Sequence, residues 1–370
     1  NMKKLTYIAN SRIPTKFAYG IQIMKMCEAF ANEGVAVELI LPSRWQKIKE
    51  DPFTFYGVKR NFKIKKLWTL DLVRLKFPSF FTIEVITFGI SVMFYLLFKK
   101  DGGVLYTRGE MVRFLTFFSK KYNIYWESHN KPDSINRYRD VFKKVKGIIV
   151  LTDYYRTELI NNYGVIENKV LTAHDSVDEL VFKNVITKAE ARRRLKLPSD
   201  KKLVVYTGSD VPWKGLDILR QAAILLPQAY ETYFIGNIQK KDSVDERLHF
   251  EGFKNPTEIP IWLAAADVLV VTELRGSEVA NHYTSPLKVF EYMASGRPII
   301  ASDTPALREV LNEKNAVLIA AGEAEAMKEG IIQITNDASK AEKLSENALS
   351  DVKRFTWRNR VESILAFIDN

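Results

Sequence analysis

The sequence predicts an α/β protein with two parallel sheets in tandem. Patterns typical of buried strands alternate with helical patterns almost throughout the 370 residues, which indicates helical crossovers between parallel strands. A chain of this length exceeds the usual size of one hydrophobic core, so two domains are expected. The join is expected near residues 182–202, where the segment is polar and helical and lacks a strand pattern.

The strand patterns form two series. The first is LTYIANS, VAVELILP, VLYTR, NIYWES, GIIVLT and KVLTA, and the second is LVVYTG, TYFIG, LHFEG, DVLVVT, PIIAS and AVLIA. From residue 338 onward only helical patterns follow, ending in FTWRNRVESILAFID. We therefore expect two doubly wound domains, residues 1–182 and 183–355, with a C-terminal helix at about 356–370 that returns to the first domain.

The positive charge is concentrated in the N-terminal half. The formal net charge is +11, and residues 1–175 hold 29 Lys and Arg against 16 Asp and Glu, whereas the remainder holds 26 against 28. A basic half can contact nucleic acid, anionic lipid or an acidic substrate. The chain has no recognised nucleic-acid-binding motif, so a basic nucleic-acid-binding protein is the weaker alternative and no nucleic-acid partner is expected.

Cysteine content and the N-terminal segment indicate the compartment. The single cysteine, Cys27, lies in an amphipathic helical pattern, so no disulfide is expected and a reducing compartment fits. The segment KKLTYIANS runs directly into a strand pattern and lacks the long apolar stretch of a secretory signal. We expect a cytoplasmic protein that can associate with the inner face of the plasma membrane.

The longest apolar run, Phe77 to Phe98, approaches the roughly 20 residues that a membrane span requires. Pro78, Glu84 and Gly89 interrupt it, which favours a buried or interfacial helix. Just before it, residues 44–76 hold ten Lys and Arg against three acidic residues, interleaved with aromatic side chains. This composition is typical of a surface that contacts a membrane interface.

The most informative segment is YTSPLKVFEYMASGRPIIASD, at residues 283–303. Ser285 can cap a helix and Pro286 suits its first position. Strand patterns on both sides make this helix the crossover of a buried βαβ unit. Lys288 and Glu291, three positions apart, share one helix face, and the helix N-terminus favours an anion such as phosphate.

Two further segments place chemically useful side chains at strand ends. In YTGSDVPWKGLDIL a strand ends at Gly208, and Lys214 precedes a helix, where it can neutralise a phosphate. Taken alone, this pattern favours a solvated turn lysine. In WESHN, Glu127 and His129 lie at a strand end; a single histidine of this kind is more often a hydrogen-bonded structural residue.

Together these segments resemble the retaining glycosyltransferases of the GT-B fold, specifically family four, the glycosyl transferases group 1. The resemblance covers nearly the whole chain. SPLKVFEYMASGRPIIASD is similar to the donor-binding signature of the family, and TGSDVPWKG and FEGFKNPTEIPIWLAAADVLVV match in order and spacing. PTKFAYGIQIMKMCEAFANEGVAVELILP, ESHN and HDSVDELVF are also similar. The resemblance implies two Rossmann-like domains facing across a cleft, an acceptor domain followed by a donor domain.

The resemblance also implies an activity, the transfer of a sugar from a nucleoside diphosphate sugar to an acceptor with retention at the anomeric carbon. Glu291 would hold the ribose hydroxyls and Lys214 the diphosphate, and His129 would lie near the transferring sugar, so that His129 and Lys214 are the catalytic candidates. The donor-binding residues implied are Gly208, Lys214, Tyr283, Thr284, Ser285, Pro286, Leu287, Lys288 and Glu291. The residues implied on the acceptor side are Tyr19, Gly20, Glu127 and His129.

The sequence departs from the family pattern in two places. Eight positions before Glu291 the family carries a glutamate that contacts the donor sugar, and here Tyr283 stands there, which leaves the sugar open. An arginine is common shortly before the diphosphate lysine, but here Ser209 and Asp210 follow Gly208. The chain contains no Asp-x-Asp and only four histidines and one cysteine, so we expect transfer without a metal or other cofactor.

Acceptor and reaction class are less strongly indicated. The basic, aromatic segment beside the apolar run predicts a lipid-linked or surface-polysaccharide glycan as acceptor, with peripheral contact between the N-terminal domain and an anionic membrane; a soluble acceptor stays open. A nucleotide-sugar epimerase of the same fold is the main alternative. A Rossmann oxidoreductase is disfavoured, because IANSRIPTKFAYG has one glycine where G-x-G-x-x-G is needed.

Overall fold

A computed structural model describes residues 4–71, 78–100, 102–132, 134–178, 186–240, 245–274 and 276–370. The chain divides into two compact units, one comprising Asn1–His174 with Trp357–Asn370 and the other Asp175–Thr356. The predicted boundary between residues 182 and 183 lies outside the described residues, and the observed division falls between His174 and Asp175.

The first unit is built on a parallel sheet of seven strands in the order β3-β2-β1-β4-β5-β6-β7. The strands are β1 (Lys4–Ala9), β2 (Ala36–Pro42), β3 (Lys63–Leu67), β4 (Gly103–Arg108), β5 (Tyr122–Ser128), β6 (Gly147–Val150) and β7 (Val170–Thr172). The helices are α1 (Ala18–Asn32), α2 (Pro52–Tyr56), α3 (Pro78–Phe98), α4 (Val112–Leu115), α5 (Ile135–Lys144) and α6 (Asp153–Asn161). The central strands are buried on both faces and rich in Val, Ile and Leu, as covered parallel strands require.

One strand of this sheet is absent from the sequence prediction. Strand β3, KIKKL, pairs in parallel with β2 at the edge of the sheet. Its lysines mask the alternation that identifies a strand, since an edge strand needs fewer apolar residues and charged side chains there discourage pairing with another chain.

The C-terminal helix, Trp357–Asp369, belongs to the first unit, as predicted. It packs on α1 and β6 through buried Trp357, Val361 and Ile364. The Phe367 ring lies 5.9 Å from the Tyr125 ring, edge to face. The tail therefore completes the core of the first unit.

The second unit repeats the architecture with a parallel sheet of six strands in the order β10-β9-β8-β11-β12-β13. The strands are β8 (Lys202–Thr207), β9 (Tyr230–Ile235), β10 (Leu248–Gly252), β11 (Val268–Val271), β12 (Ile299–Asp303) and β13 (Val317–Ala320). The helices are α7 (Lys188–Leu195), α8 (Leu216–Leu225), α9 (Ile259–Ala265), α10 (Leu287–Ala294), α11 (Pro305–Arg308), α12 (Ala324–Asn336) and α13 (Ala338–Asp351). All six predicted strands of this half are confirmed.

Strand order reverses once in each sheet, between β1 and β4 and between β8 and β11. At such a point consecutive crossovers leave on opposite faces of the sheet and open a crevice at the carboxyl ends of the strands. The loops that follow β1, β4, β8 and β11 are therefore the places to look for functional side chains.

Candidate functional site

The switch point of the second sheet gathers residues from the loops after β8 and β11. The loop after β8 begins at Gly208 and closes with a 3₁₀ turn at Pro212–Lys214, and Glu273 lies in the loop after β11. The N–H of Leu274 donates to the carbonyl oxygen of Trp213 at 3.1 Å. This hydrogen bond joins the two loops.

The loop after β8 depends on close packing between two glycines. Gly208 has φ +146° and Gly236, after β9, has φ +136°. A Cβ at Gly236 would lie 1.7 Å from the carbonyl oxygen of Gly208. No other residue fits at Gly236, so this packing fixes the start of the loop that carries Lys214.

Lys214 is the first cation of this site. Its Nζ donates to Ser209 Oγ at 3.0 Å. Burial lowers the pKa of the Lys214 ammonium, while the Glu273 carboxylate acts in the opposite direction. The lysine predicted from the sequence therefore lies partly buried at the switch point rather than in a solvated turn.

Lys288, in the first turn of α10, is the second cation. Its side chain is 8% exposed, and its Nζ lies 3.9 Å from the centroid of the Tyr206 ring. Within the described part of the chain Nζ has no hydrogen-bond partner. Burial lowers the pKa of Lys288 well below its usual value, and the charge of Lys214 adds to this effect. A buried ammonium of this kind is costly without an anion.

Glu273 provides the carboxylate beside the two lysines. It is 2% exposed, its Oε2 accepts a hydrogen bond from Thr304 Oγ1 at 2.9 Å, and its N–H donates to Ser302 Oγ at 3.0 Å. Burial raises the pKa of Glu273 to about 7, although Thr304 and Lys288 oppose the shift. Glu273 is not among the residues predicted from the sequence.

Glu291 lies one turn after Lys288 on α10 and is half-buried. Burial alone raises the pKa of its carboxyl to about 7, since no described residue offers it a hydrogen bond or counter-charge. The next residue, Tyr292, accepts a hydrogen bond from the Thr207 N–H at 2.7 Å, which fixes α10 against the end of β8. Glu291 is thus held on a rigid element with its oxygens uncommitted.

The predicted start of this helix is wrong by one residue, because Pro286 was expected at its first position. Helix α10 begins at Leu287, with Pro286 at the N-cap and no side-chain cap. Ser285 does not cap it, because its Oγ accepts a hydrogen bond from the Asp175 N–H at 3.0 Å. Ser285 therefore anchors the segment that enters the second unit.

Two more residues of the predicted donor segment, Tyr283 and Thr284, lie before the helix. Tyr283 is buried at the end of a π-helical turn, Val279–Tyr283. Thr284 Oγ1 donates to the carbonyl oxygen of Ala280 at 3.3 Å. These side chains stabilise the turn that leads into α10.

In the first unit, Glu127 is the centre of a buried polar network at the end of β5. Its Oε1 accepts hydrogen bonds from Arg360 Nη2 at 3.0 Å and from Gln22 Nε2, and its Oε2 accepts one from the Tyr106 hydroxyl. Burial opposes ionisation, but Arg360, His129 and Arg108 outweigh it and hold the pKa of Glu127 well below its usual value. Glu127 is therefore ionised at neutral pH.

His129 has partners at both ring nitrogens. Its Nε2 lies 2.8 Å from Glu127 Oε1, and its Nδ1 lies 3.2 Å from Arg108 Nη2. Burial and the charge of Arg108 together lower the pKa of His129 to about 4, although Glu127 acts in the opposite direction. Because a carboxylate needs a donor and a guanidinium needs an acceptor, the ring is neutral and carries its proton on Nε2. This histidine orients its neighbours, and its basic nitrogen is already occupied.

Tyr19 and Gly20, which the family resemblance implies on the acceptor side, lie in the first turn of α1. The Arg108 guanidinium lies 6.0 Å from the centroid of the Tyr19 ring. A Cβ at Gly20 would lie 2.2 Å from the Tyr56 hydroxyl, which hydrogen-bonds to the Thr15 backbone. Packing thus accounts for Gly20, and Tyr19 lies beside the polar network.

Three charged residues of these clusters are absent from the sequence prediction: Arg108, Glu273 and Arg360. Arg108 ends β4 and Glu273 follows β11, so both lie at the switch points. The strand patterns place both residues at strand ends, as they do many others. Only the order of the strands in the sheet shows which strand ends lie at a switch point. Arg360 is distant in sequence, and only the packing of the C-terminal helix brings it to Glu127.

Comparison with known proteins agrees with this architecture. The two Rossmann-like units define an α/β protein of the GT-B class, and two solved structures support this fold over the whole chain. HepE from Anabaena, in complex with UDP and glucose, has a TM-score of 0.77 at 15% identity and covers 100% of both chains. Sucrose-phosphate synthase from Thermosynechococcus elongatus has a TM-score of 0.78 at 17% identity and covers 99% of this chain and 98% of its own.

Sequence comparison then identifies the second unit. Residues 187–351 match the family Glycosyl transferases group 1, so the chain carries a glycosyltransferase domain of this family.

Two curated relatives agree with the family assignment. One, assigned as the teichuronic acid biosynthesis glycosyltransferase TuaC of Bacillus subtilis, is 28% identical over 155 residues, 42% of this chain and 38% of that protein. The D-inositol 3-phosphate glycosyltransferase of Acidothermus cellulolyticus is 26% identical over 247 residues, 61% of this chain and 53% of that protein. The chain thus spans about half the length, or less, of these curated relatives.

Proposed function

We propose that the protein transfers a sugar from a nucleoside diphosphate sugar to a glycan acceptor. The observation that carries this proposal is the buried Lys288 ammonium, which has no hydrogen-bond partner among the described residues and lies in the first turn of α10. Glu273 is one carboxylate beside two lysines, so a diphosphate would add negative charge where a helix N-terminus and two lysines together favour an anion. Glu291, one turn further on, has free carboxylate oxygens suited to ribose hydroxyls.

The same groups suit the chemistry of the transfer. Breaking the anomeric bond places negative charge on the leaving diphosphate, and Lys214 and Lys288 are held where they can stabilise that charge without rearranging. We propose transfer with retention, as the family resemblance implies. We assign no proton transfer to His129, since both of its ring nitrogens are engaged.

We further propose that the donor carries UDP and that no divalent ion takes part. Two structures similar in fold are complexes with UDP and glucose and with UDP-glucose, which favours uridine as the base. Two lysines can neutralise the charge that a divalent ion otherwise balances on a diphosphate.

The proposed donor site is tested by comparing the nucleotide affinity of the Glu291→Ala variant with that of the wild type. Titration calorimetry with UDP, GDP and ADP in EDTA is expected to show saturable binding of UDP to the wild type. Loss of hydrogen bonds to a charged group should weaken binding in Glu291→Ala by about 10- to 100-fold. Glu329→Ala, an exposed residue of α12, is the control and should bind as the wild type does.

Three outcomes would contradict parts of the proposal. Equal UDP affinity in Glu291→Ala and the wild type would remove Glu291 from the site. Binding or transfer that is lost in EDTA and restored by a divalent ion would disprove metal independence. Epimerisation of the sugar nucleotide in the absence of any acceptor would replace transfer with the epimerase alternative.

For the acceptor, we propose a lipid-linked glycan intermediate of surface-polysaccharide synthesis, reached at the inner face of the plasma membrane. The similarity to a glycosyltransferase of teichuronic acid biosynthesis supports a surface polysaccharide. The second support is α3, which is the one helix among the described residues that is long and apolar enough to cross a membrane.

Helix α3 has two apolar faces, and only one is covered. Val85, Phe88, Val92 and Leu96 pack inward. The residues that are exposed, spaced largely at intervals of three or four, are Phe81, Ile86, Ile90, Phe94, Leu97 and Phe98. An uncovered apolar face of this length indicates a partner that is apolar itself.

Polar contacts on the inward face favour a helix that lies on the membrane over one that spans it. Glu84 forms a buried ion pair with Arg44 at 2.9 Å, and the Tyr95 hydroxyl donates to Glu38 at 2.7 Å. Spanning would break both contacts. Exposed lysines of β3 lie alongside, and Lys65 Nζ is 4.4 Å from the centroid of the Tyr95 ring. Attraction to anionic lipid would contribute about 1 kcal/mol of binding free energy per nearby lysine.

Replacing Ile90 and Phe94 together with serine tests this surface. Burial of each side chain in lipid would contribute about 1.5–3 kcal/mol to binding. The affinity for vesicles containing phosphatidylglycerol, measured by co-sedimentation, should therefore fall by at least about 10-fold in the double variant. The control is the serine double variant of Ile224 and Leu225, which are similarly exposed on α8. Equal binding of both double variants, or equal wild-type binding to neutral vesicles, would contradict an anionic membrane as the partner.

A further inference from the structure

Arg360 reaches the polar network of the first unit from the C-terminal helix. Its side chain is 1% exposed, and its Nη2 donates to Glu127 Oε1 at 3.0 Å. Its Nη1 donates to the carbonyl oxygens of Ala173 at 3.0 Å and His174 at 3.3 Å. A buried arginine with this many partners is held in one position, and it approaches Glu127 on the same oxygen as His129.

The groups that face Glu127 come from five elements. They are Tyr7 from β1, Gln22 from α1, Tyr106 and Arg108 from β4, His129 after β5, and Arg360 from the C-terminal helix. Burial raises the pKa values of Tyr7 and Tyr106 well above their usual range. Both tyrosines therefore stay neutral, and the charges that matter belong to Glu127, Arg360, Arg108 and His129.

We propose that Arg360 is a positioning residue that keeps His129 neutral. Arg360 supplies the positive charge that the buried Glu127 carboxylate requires, so His129 need not supply it. The neutral ring then donates from Nε2 to Glu127 and accepts at Nδ1 from Arg108. The bearing of this arrangement on catalysis rests on the proposed function, but the charge state itself does not.

The role of Arg360 becomes clear when its charge is removed. Without Arg360, Glu127 would keep the neutral donors Gln22 and Tyr106, and Arg108, the remaining cation of the network, bonds to Gln22 and His129. The nearest group able to take a proton and restore the lost charge is then His129 at 2.8 Å. A protonated His129 would carry N–H on both nitrogens, so Nδ1 could no longer accept from Arg108. Two cations would then face each other, and Arg108 would be displaced from its position beside Tyr19.

The test measures the protonation of His129 by NMR of histidine-labelled protein, with His129→Asn used to assign its signals. In the wild type we expect the ring to be neutral at pH 7, with the proton on Nε2. In Arg360→Gln we expect the titration midpoint of His129 to rise by about 1–3 pH units, the range for a nearby charge. Arg358→Gln is the matched control, because this arginine lies on the same helix, is 73% exposed and pairs with Glu362.

Arg360→Lys keeps the charge and separates electrostatics from folding. It should leave His129 neutral, and it remains informative if Arg360→Gln does not fold. A His129 that titrates identically in the wild type and Arg360→Gln, or that becomes protonated in Arg360→Lys, would overturn the proposal. The measurement needs no nucleotide or acceptor, so its outcome is independent of whether the donor-site proposal fails.

Discussion

Lys288→Met is expected to weaken nucleoside diphosphate binding and to stabilise the empty protein at the same time. Methionine matches the length and apolar stem of lysine but carries no charge. The ammonium of Lys288 is buried against the Tyr206 ring with no hydrogen-bond partner in the described chain. Removing this charge therefore ends a desolvation that Glu273 only partly offsets in the free protein, and it deprives the diphosphate of a charged partner.

The loss of binding free energy and the gain in free energy of unfolding are expected to be similar in size. A hydrogen bond to a charged group contributes about 1.5–3 kcal/mol, so the dissociation constant for UDP should rise about 10- to 100-fold. Removing a buried charge that lacks a hydrogen-bond partner should raise the free energy of unfolding by about 1–3 kcal/mol. Calorimetric titration and thermal unfolding of the same preparation measure both.

Lys328→Met serves as the control, because Lys328 on α12 is paired with Glu325 and lies in the same unit. It should change neither quantity by more than about 0.5 kcal/mol. A Lys288→Met protein that is less stable than the wild type and binds UDP unchanged would show that Lys288 has a structural role only.

Local patterns suffice to predict most of the fold. Strands buried on both faces give continuous apolar runs, and twelve such runs in alternation with helices predict two parallel sheets. Strand β3 was missed because an edge strand can be covered with lysines and still pair. The start of α10 was misplaced because Ser285, the apparent cap, bonds to Asp175 instead, which is a contact between distant segments.

Some residues of the candidate site could be predicted from the sequence, and the others depend on contacts between segments that are distant in sequence. Lys214, Lys288 and Glu291 carry sequence signals of their own, namely a turn, a helix start and helical spacing. Arg360 becomes part of a site only through packing across most of the first unit, and Glu273 through strand order. The environment of His129 was also beyond the sequence, since its charge depends on Arg108, Glu127 and Arg360 together.

Glu127→Ala is expected to produce the largest loss of stability in the first unit. It leaves Arg360 buried without its counter-charge, and removing one member of a buried ion pair costs about 3–5 kcal/mol. Replacing both members, with Glu127→Leu and Arg360→Met, should recover much of that loss, because the pair and its desolvation disappear together. Chemical unfolding of the single and double variants measures the difference, and equal destabilisation by both would contradict it.

The same network sets how stability depends on pH. The folded pKa of His129, about 4, lies below the ordinary histidine value of 6.5, so the unfolded chain binds more protons and stability falls as pH drops from about 6.5. The folded pKa of Glu127 lies well below the ordinary glutamate value of 4.5, so a second loss of stability begins as pH falls below about 4.5. In the Glu127→Leu, Arg360→Met variant the second loss should be reduced, because the carboxylate that resists protonation is gone. Unfolding measured between about pH 7 and about pH 2 tests this order, and a double variant with the acid sensitivity of the wild type would show that other carboxylates dominate.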